Sequence, residues 1–189
     1  MSFAPRRSHS LKTFLNTLIG AMLVCIAHAT YAESREALER ESKNALNNLI
    51  AQNQIAKDLN ARAAAVLVFP SVKKAGLMVG AQYGEGVLWR NGKASAYYNT
   101  GGASFGFQAG VQEYGYAMFF MKDSALNALD VTQGFEVGVG PSVVVIDQGM
   151  GASHTTTTLQ NDIYAFVFSQ RGLMAGVGIQ GNKITRINK

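Results

Sequence analysis

A serine in a glycine-rich motif is the first place in this sequence to look for covalent chemistry. Gly102-Ala103-Ser104-Phe105-Gly106 fits the G-x-S-x-G nucleophile elbow, and Asp147 and His154 follow in the order that hydrolases of the α/β type use. An elbow of this kind needs a sharp turn from a strand into a helix. The residues after Ser104 are instead glycine-rich and strand-like, so we expect a protein that is not an enzyme.

A second glycine motif and the carboxylates complete the search for chemical sites. Residues 176–181 fit the G-x-G-x-x-G dinucleotide fingerprint, but no acidic residue follows them and they lie too near residue 189 to open a helix. After residue 32, His154 is the only histidine, and the twelve carboxylates are scattered without the spacing of a metal site. We therefore expect neither a cofactor nor a metal.

Basic and aromatic residues near predicted strand ends could bind lipid. Lys73-Lys74 follows Phe69-Pro70, and Asn91-Gly92 predicts a hairpin turn with Trp89 beside it. Indole rings favour the membrane interface, and cations are attracted to anionic headgroups. For any single cation, an ordinary solvated turn is the alternative. The predicted lipid-binding residues are Lys73, Lys74, Trp89, Arg90, Lys93, Lys122 and Arg171.

The first 32 residues have the pattern of a signal peptide. Arg6, Arg7 and Lys12 form a basic region, and residues 14–26 form an apolar stretch that is short for a membrane span. Small residues precede two candidate cleavage positions, after Ala29 and after Ala32, and the second leaves the more usual spacer. We predict export, with the mature protein in the periplasm or at the outer membrane.

Cys25 and the net charge both depend on this processing. Lipidation of Cys25 is disfavoured, because Val24 is large and branched where a lipoprotein signal carries a small residue. Cleavage after Ala32 leaves a chain without cysteine, hence without disulfides. It also lowers the formal charge from +5 to +2, because three basic residues leave with the signal. Nucleic acid is therefore not an expected partner.

The rest of the chain predicts an α+β fold, mainly antiparallel β. Residues 33–65 lack glycine and proline and repeat apolar residues at helical spacing, with a break expected near Asn53. This amphipathic helix would pack on the sheet or, alternatively, lie at a membrane interface. Residues 66–189 show eleven short strand patterns, six of them between residues 66 and 121, and a short helix over 123–129, capped by Asp123 or Ser124. We expect a curved sheet that closes into a sandwich or partial barrel.

Four blocks in this region resemble the SYLF domain family. They are the run Val66-Leu67-Val68-Phe69-Pro70 with its basic link to Gly76, the glycine-rich segment 101–110, the stretch 138–141, and Tyr164 with Gly172-Leu173-Met174-Ala175-Gly176 and Asn188. The resemblance implies a lipid-binding domain. It departs from the family pattern at Ala94-Ser95-Ala96-Tyr97-Tyr98, where relatives often carry an aromatic residue followed by proline.

The resemblance and the residues together predict a non-catalytic lipid-binding protein of the bacterial cell envelope. Its partner would be an anionic phospholipid or membrane surface, contacted at the strand ends. The alternative is a structural or protein-interaction domain of the envelope, binding another protein or a second copy of itself. Actin binding, a property of some eukaryotic relatives, is not implied for an exported bacterial protein.

Overall fold

The computed structural model describes residues 34–130, 134–136, 143–147, 161–172 and 182–189, and within these ranges only the backbone is described at 77–79, 104–109, 130, 147 and 172. The predicted signal peptide with Cys25, the candidate base His154 and the glycine motif at 176–181 lie outside the described residues. So does the block 138–141 of the SYLF resemblance.

Two helices precede the sheet, and an asparagine separates them. Helix α1 spans Arg35–Gln52 and begins at Ser34, whose hydroxyl accepts a hydrogen bond from the Ala37 amide. Helix α2 spans Gln54–Arg62, and the Asn53 side chain caps it by accepting from the Ala56 amide at 3.0 Å. Asn53 itself has extended backbone angles, as expected of a cap residue. The break predicted near Asn53 is confirmed.

One long hairpin dominates the sheet. Strand β1, Ala65–Arg90, pairs antiparallel with strand β2, Lys93–Phe120, from Ala65 opposite Phe120 to Arg90 opposite Lys93. Asn91 and Gly92 have φ of 51° and 74°, the left-handed values that a two-residue hairpin turn of this type needs. The predicted turn is confirmed. The prediction of six short strands between residues 66 and 121 is wrong, because β1 and β2 each continue through their glycines instead of ending at them.

Four further strands flank the two halves of β2. They are β3 (Phe135–Glu136), β4 (Val143–Asp147), β5 (Ile163–Gly172) and β6 (Lys183–Ile187). Strand β5 pairs with residues 112–120 of β2, whereas β6 pairs with residues 97–101. The order is β3-β6-β2-β5-β4, and only β4 with β5 runs parallel among the described pairs. The predicted mainly antiparallel, curved sheet is confirmed as a strongly curled half-barrel.

The curl folds the hairpin against itself. Its tip half (80–102) packs on its base half (65–75 with 111–120), and glycines permit the close approach. A Cβ at Gly84 would lie 2.7 Å from the Ser71 carbonyl oxygen, and one at Gly86 would lie 2.6 Å from Phe69 Cδ1. Both distances are too short for any larger residue. Glycine here allows a strand to cross its own earlier part.

Two apolar clusters lie on opposite faces of the sheet. The inner face carries the larger one, which joins base and tip through alternating residues such as Phe69, Tyr116 and Tyr98. The other, which we call the helix face, carries Val68, Phe119 and Phe166 under Leu46 and Leu49 of α1. The helix therefore packs on the sheet, which was the first of the two predicted alternatives. No helix in the described ranges is both long and apolar enough to span a membrane.

A short helical segment follows β2 at the end of the half-barrel. Helix α3 spans Asp123–Leu126 and continues as a 3-10 turn, Asn127–Asp130. Its N-cap is Lys122, whose side chain makes no capping hydrogen bond. The predicted cap at Asp123 or Ser124 is therefore wrong by one or two residues, because only two residues separate the start of the helix from the end of β2. Leu129 and Ala125 place this segment against the inner core.

Candidate functional site

Trp89 lies against helix α1 and does not project from the hairpin tip. Its indole Nε1 donates a hydrogen bond of 2.8 Å to Ser42 Oγ. The half-buried side chain packs against the helix-face cluster and against a smaller cluster formed by Leu38, Val87 and Tyr97. Lys43 Nζ lies 4.8 Å from the ring centroid, within cation–π range. The structure thus gives the indole a packing role inside the protein.

Two of the predicted cations have carboxylate partners. Arg90 forms an ion pair with Asp123, and Lys122 Nζ lies 2.8 Å from Asp162 Oδ1. The hydrogen bond to Asp162 raises the pKa of Lys122. Lys93 is exposed beside the hairpin turn. This end of the hairpin carries cations whose charge is partly compensated by neighbours.

Lys73 and Arg171 lie near each other on the helix face, past the part of that face that the helices cover. The register places Lys73 opposite Glu113 on β2, and Glu113 opposite Arg171 on β5. The three side chains share the helix face because their neighbours Val72 and Tyr114 point into the inner core. Glu113 Oε1 accepts a 2.6 Å hydrogen bond from Ser71, and no described carboxylate lies within ion-pair distance of either cation.

An exposed valine adjoins these cations. Val111 lies two residues before Glu113 on the same face, opposite Ala75, and 65% of its surface is accessible. Ala75 is also exposed. We call Lys73, Ala75, Val111 and Arg171 the basic patch. It combines cations with apolar groups, the two features that docking at a membrane interface requires.

Lys74 belongs to the other face. It follows Lys73 in the strand and pairs in register with Gln112, whose side chain is buried. Successive residues of a strand point to opposite sides, so Lys74 points away from the basic patch. Its side chain is half-buried. Although Lys73 and Lys74 are adjacent in sequence, their side chains lie on opposite faces of the sheet.

Six of the seven predicted residues therefore form two groups instead of one rim, and Lys74 belongs to neither. Gly84 of the tip half lies over Ser71 and Val72, close to Lys73. Trp89 is five residues further along β1, which is about 17 Å at the rise of an extended strand. Lys73 and Arg171 meet near the bend, whereas Trp89, Arg90, Lys93 and Lys122 lie towards the turn and α3.

The nucleophile-elbow motif does not have the geometry of an elbow. Ser104 lies within β2 and pairs with Gly80 of β1, and Asp147 ends β4 opposite Val167. A nucleophile elbow requires a strand-to-helix turn, and here extended chain continues on both sides of Ser104. Across the described part of the chain, no group of three or more His, Cys, Asp or Glu residues is arranged to hold a metal.

A family model decides the relationship that the sequence blocks indicated. Residues 101–189 match the family described as "Ysc84: Las17-binding protein actin regulator". The match confirms the resemblance to the SYLF family over this part of the chain. A search of curated proteins gives no match. The SYLF segment begins within the tip half of β2 and includes Val111 and Arg171, whereas Lys73 precedes it.

Val111 is the residue of this site that sequence reasoning missed. The sequence predicts two separate strands on either side of it, 104–110 and 114–121, which leave residues 111–113 in a connection. A signal was nonetheless present, since the alternation of Val111 and Glu113 with Gln112 and Tyr114 fits one continuous strand. Only the burial of Gln112 and the exposure of Val111 show which of them faces solvent.

Proposed function

We propose that this is an exported, non-catalytic lipid-binding protein of the bacterial cell envelope, and that the basic patch contacts anionic headgroups. The observation that carries the proposal is the meeting of Lys73 and Arg171, from strands almost a hundred residues apart, beside the exposed Val111. The SYLF family match supports a binding domain in general. The particular lipid surface is our inference from charge and exposure.

The patch suits reversible attachment. Each cation near an anionic surface contributes on the order of 1 kcal/mol, and this attraction falls with salt. Val111 adds apolar surface, and its removal from water on docking is favourable. Glu113 lies between the two cations in the register and offsets part of their charge, so the patch gives weak, reversible binding.

The family description also names a protein partner, Las17, and regulation of actin. An exported bacterial protein would not meet actin, so we carry over the general capacity to bind and not that partner. A protein-interaction role remains the second candidate. The exposed side chains Val111 and Tyr83, 65% and 53% accessible, favour it, since exposed apolar groups also mark protein interfaces. The apolar face of α1 is not open to such a partner, because it packs on the sheet.

Vesicle co-sedimentation of the protein purified after export tests the proposal. We expect binding to vesicles that contain phosphatidylglycerol, weaker binding as salt rises, and little binding to phosphatidylcholine alone. If the protein does not sediment with anionic vesicles at any salt concentration, the lipid-binding role is refuted. Native mass spectrometry in the absence of lipid addresses the second candidate, which predicts a stable homo-oligomer or a co-purifying envelope protein.

The export proposal has its own test. The intact mass of the protein recovered from the periplasmic fraction should correspond to a chain that begins at residue 33. A mass that begins at residue 30 would place cleavage after Ala29, and an added acyl mass on Cys25 would establish lipidation. Recovery of the uncleaved chain from the cytoplasm would contradict export.

A further inference from the structure

A pocket lies at the end of the half-barrel, away from the basic patch. Its volume is about 220 Å³, and it opens between the tip half of the hairpin and the segment of α3 with its 3-10 turn. Its apolar lining includes Leu88, Leu126 and Leu129 beside the buried ring of Tyr98. Arg90 and Arg186 supply the charged part of the wall.

The two arginines differ in their partners. Arg90 forms an ion pair with Asp123, so its charge is partly compensated. Arg186 lies on β6 opposite Tyr98 and is exposed, and no described carboxylate lies within ion-pair distance of its guanidinium. Arginine binds carboxylate and phosphate oxygens through parallel hydrogen bonds. The pocket therefore places an anion-binding group beside apolar side chains.

We propose that this pocket binds a single-chain anionic amphiphile, with the anionic head on Arg186 and the first part of an alkyl chain on Leu88, Leu126 and Leu129. The pocket volume equals that of about seven water molecules at ~30 Å³ each, which is room for a short alkyl chain. The inference deepens the proposed lipid-binding function, because it adds a site for one free chain. It uses none of the residues of the basic patch.

Octanoate, below its micelle concentration, is the probe for this site. Calorimetric or NMR titration should show saturable binding of one octanoate per chain. Octyltrimethylammonium has the same chain with a positive head, and acetate has the head without the chain. Neither should bind at the same concentration. Equal binding of the cationic amphiphile would overturn the role of Arg186, and absence of octanoate binding would overturn the proposal.

A matched pair of variants separates the pocket from general charge. Arg186→Gln should weaken octanoate binding about tenfold, because a charge-assisted hydrogen bond is lost. Lys183→Gln removes the same charge from the same strand but outside the pocket, and it should leave octanoate binding unchanged. Ala96→Leu should block binding by filling the pocket. Thermal unfolding of each variant confirms that it is folded. Equal octanoate affinity of Arg186→Gln and the unmodified protein would overturn the assignment.

The outcomes also separate this inference from the proposed function. Replacing Lys73 and Arg171 should weaken vesicle binding and leave octanoate binding intact. If the unmodified protein binds vesicles but not octanoate, the pocket proposal alone is overturned. Binding of octanoate without any vesicle binding would support the pocket and refute the role of the basic patch.

Discussion

Trp89 and Ser42 are joined by a 2.8 Å hydrogen bond from the indole Nε1 to the serine hydroxyl, although 47 residues separate them. Ser42 is fully buried, and its hydroxyl donates in turn to the Val68 carbonyl oxygen at 3.4 Å. The tip half of the hairpin, helix α1 and the base half are thereby connected through one serine. Membrane insertion of the indole would break this connection.

The first prediction concerns the single tryptophan of the chain. Because Trp89 packs between α1 and the sheet, adding anionic vesicles should leave its emission maximum unchanged even when the protein is bound. Acrylamide should quench the free and bound states equally. The measurement is steady-state fluorescence with binding verified by sedimentation. A blue shift on binding would show that the indole enters the membrane interface.

The second prediction concerns the crossing of the hairpin over itself. Gly86→Ala would place a methyl group 2.6 Å from Phe69 Cδ1 and 2.7 Å from the Val68 carbonyl oxygen. The expected loss is about 1–3 kcal/mol of unfolding free energy, the usual cost of overpacking. Urea denaturation measures it.

Gly101→Ala is the matched control, since the nearest atom to a Cβ there is the Gln82 carbonyl oxygen at 3.8 Å. This variant should unfold at nearly the same urea concentration as the unmodified protein. Equal stability of the two alanine variants would contradict the described approach of tip to base.

The third prediction is a pH dependence at the start of α1. Glu39 accepts hydrogen bonds from Tyr97 and Arg35, and these lower the pKa of its carboxyl group, the bond from Tyr97 having the larger effect. A lowered pKa in the folded state stabilises the protein above the unfolded pKa of about 4.3. This stabilisation is lost as the pH falls through the lower, folded pKa.

Glu39→Gln should therefore reduce stability at pH 7 and have a progressively smaller effect towards pH 3. Thermal unfolding across that range is the measurement. Glu41→Gln, at an exposed position on the same helix, serves as the control and should show no such trend. A constant effect of Glu39→Gln at all pH values would argue against the ionised form being the stabilising one.

The sequence predicted the parts of the fold that depend on local chemistry. An asparagine cap ends one helix and starts the next at Asn53, and Asn91-Gly92 adopts the φ values of a hairpin turn. The length of β1 and β2 was not predictable in this way. The sequence does not show whether a glycine such as Gly84 or Gly86 ends a strand or lets it cross another strand. Only the tertiary contacts distinguish these two cases.

The candidate site was less predictable for the same reason. Asp123 and Asp162, which pair with Arg90 and Lys122, come from other segments of the chain, and their proximity depends on the curl of the sheet. Conversely, the sequence named Lys73 and Arg171 separately, without the register through Glu113 that brings them together. The neighbouring lysines 73 and 74 were treated as one feature, although strand alternation places them on opposite faces.

The most direct test of the account compares two double variants that each remove two positive charges. Lys73→Gln with Arg171→Gln acts on the basic patch, and Lys93→Gln with Lys122→Gln acts near the hairpin turn and α3. We measure the dissociation constant for phosphatidylglycerol vesicles at low salt. The first pair should weaken binding about tenfold or more, since each cation contributes on the order of 1 kcal/mol, and the second should change it little. Equal affinities of the two double variants would contradict the basic patch as the membrane-binding surface.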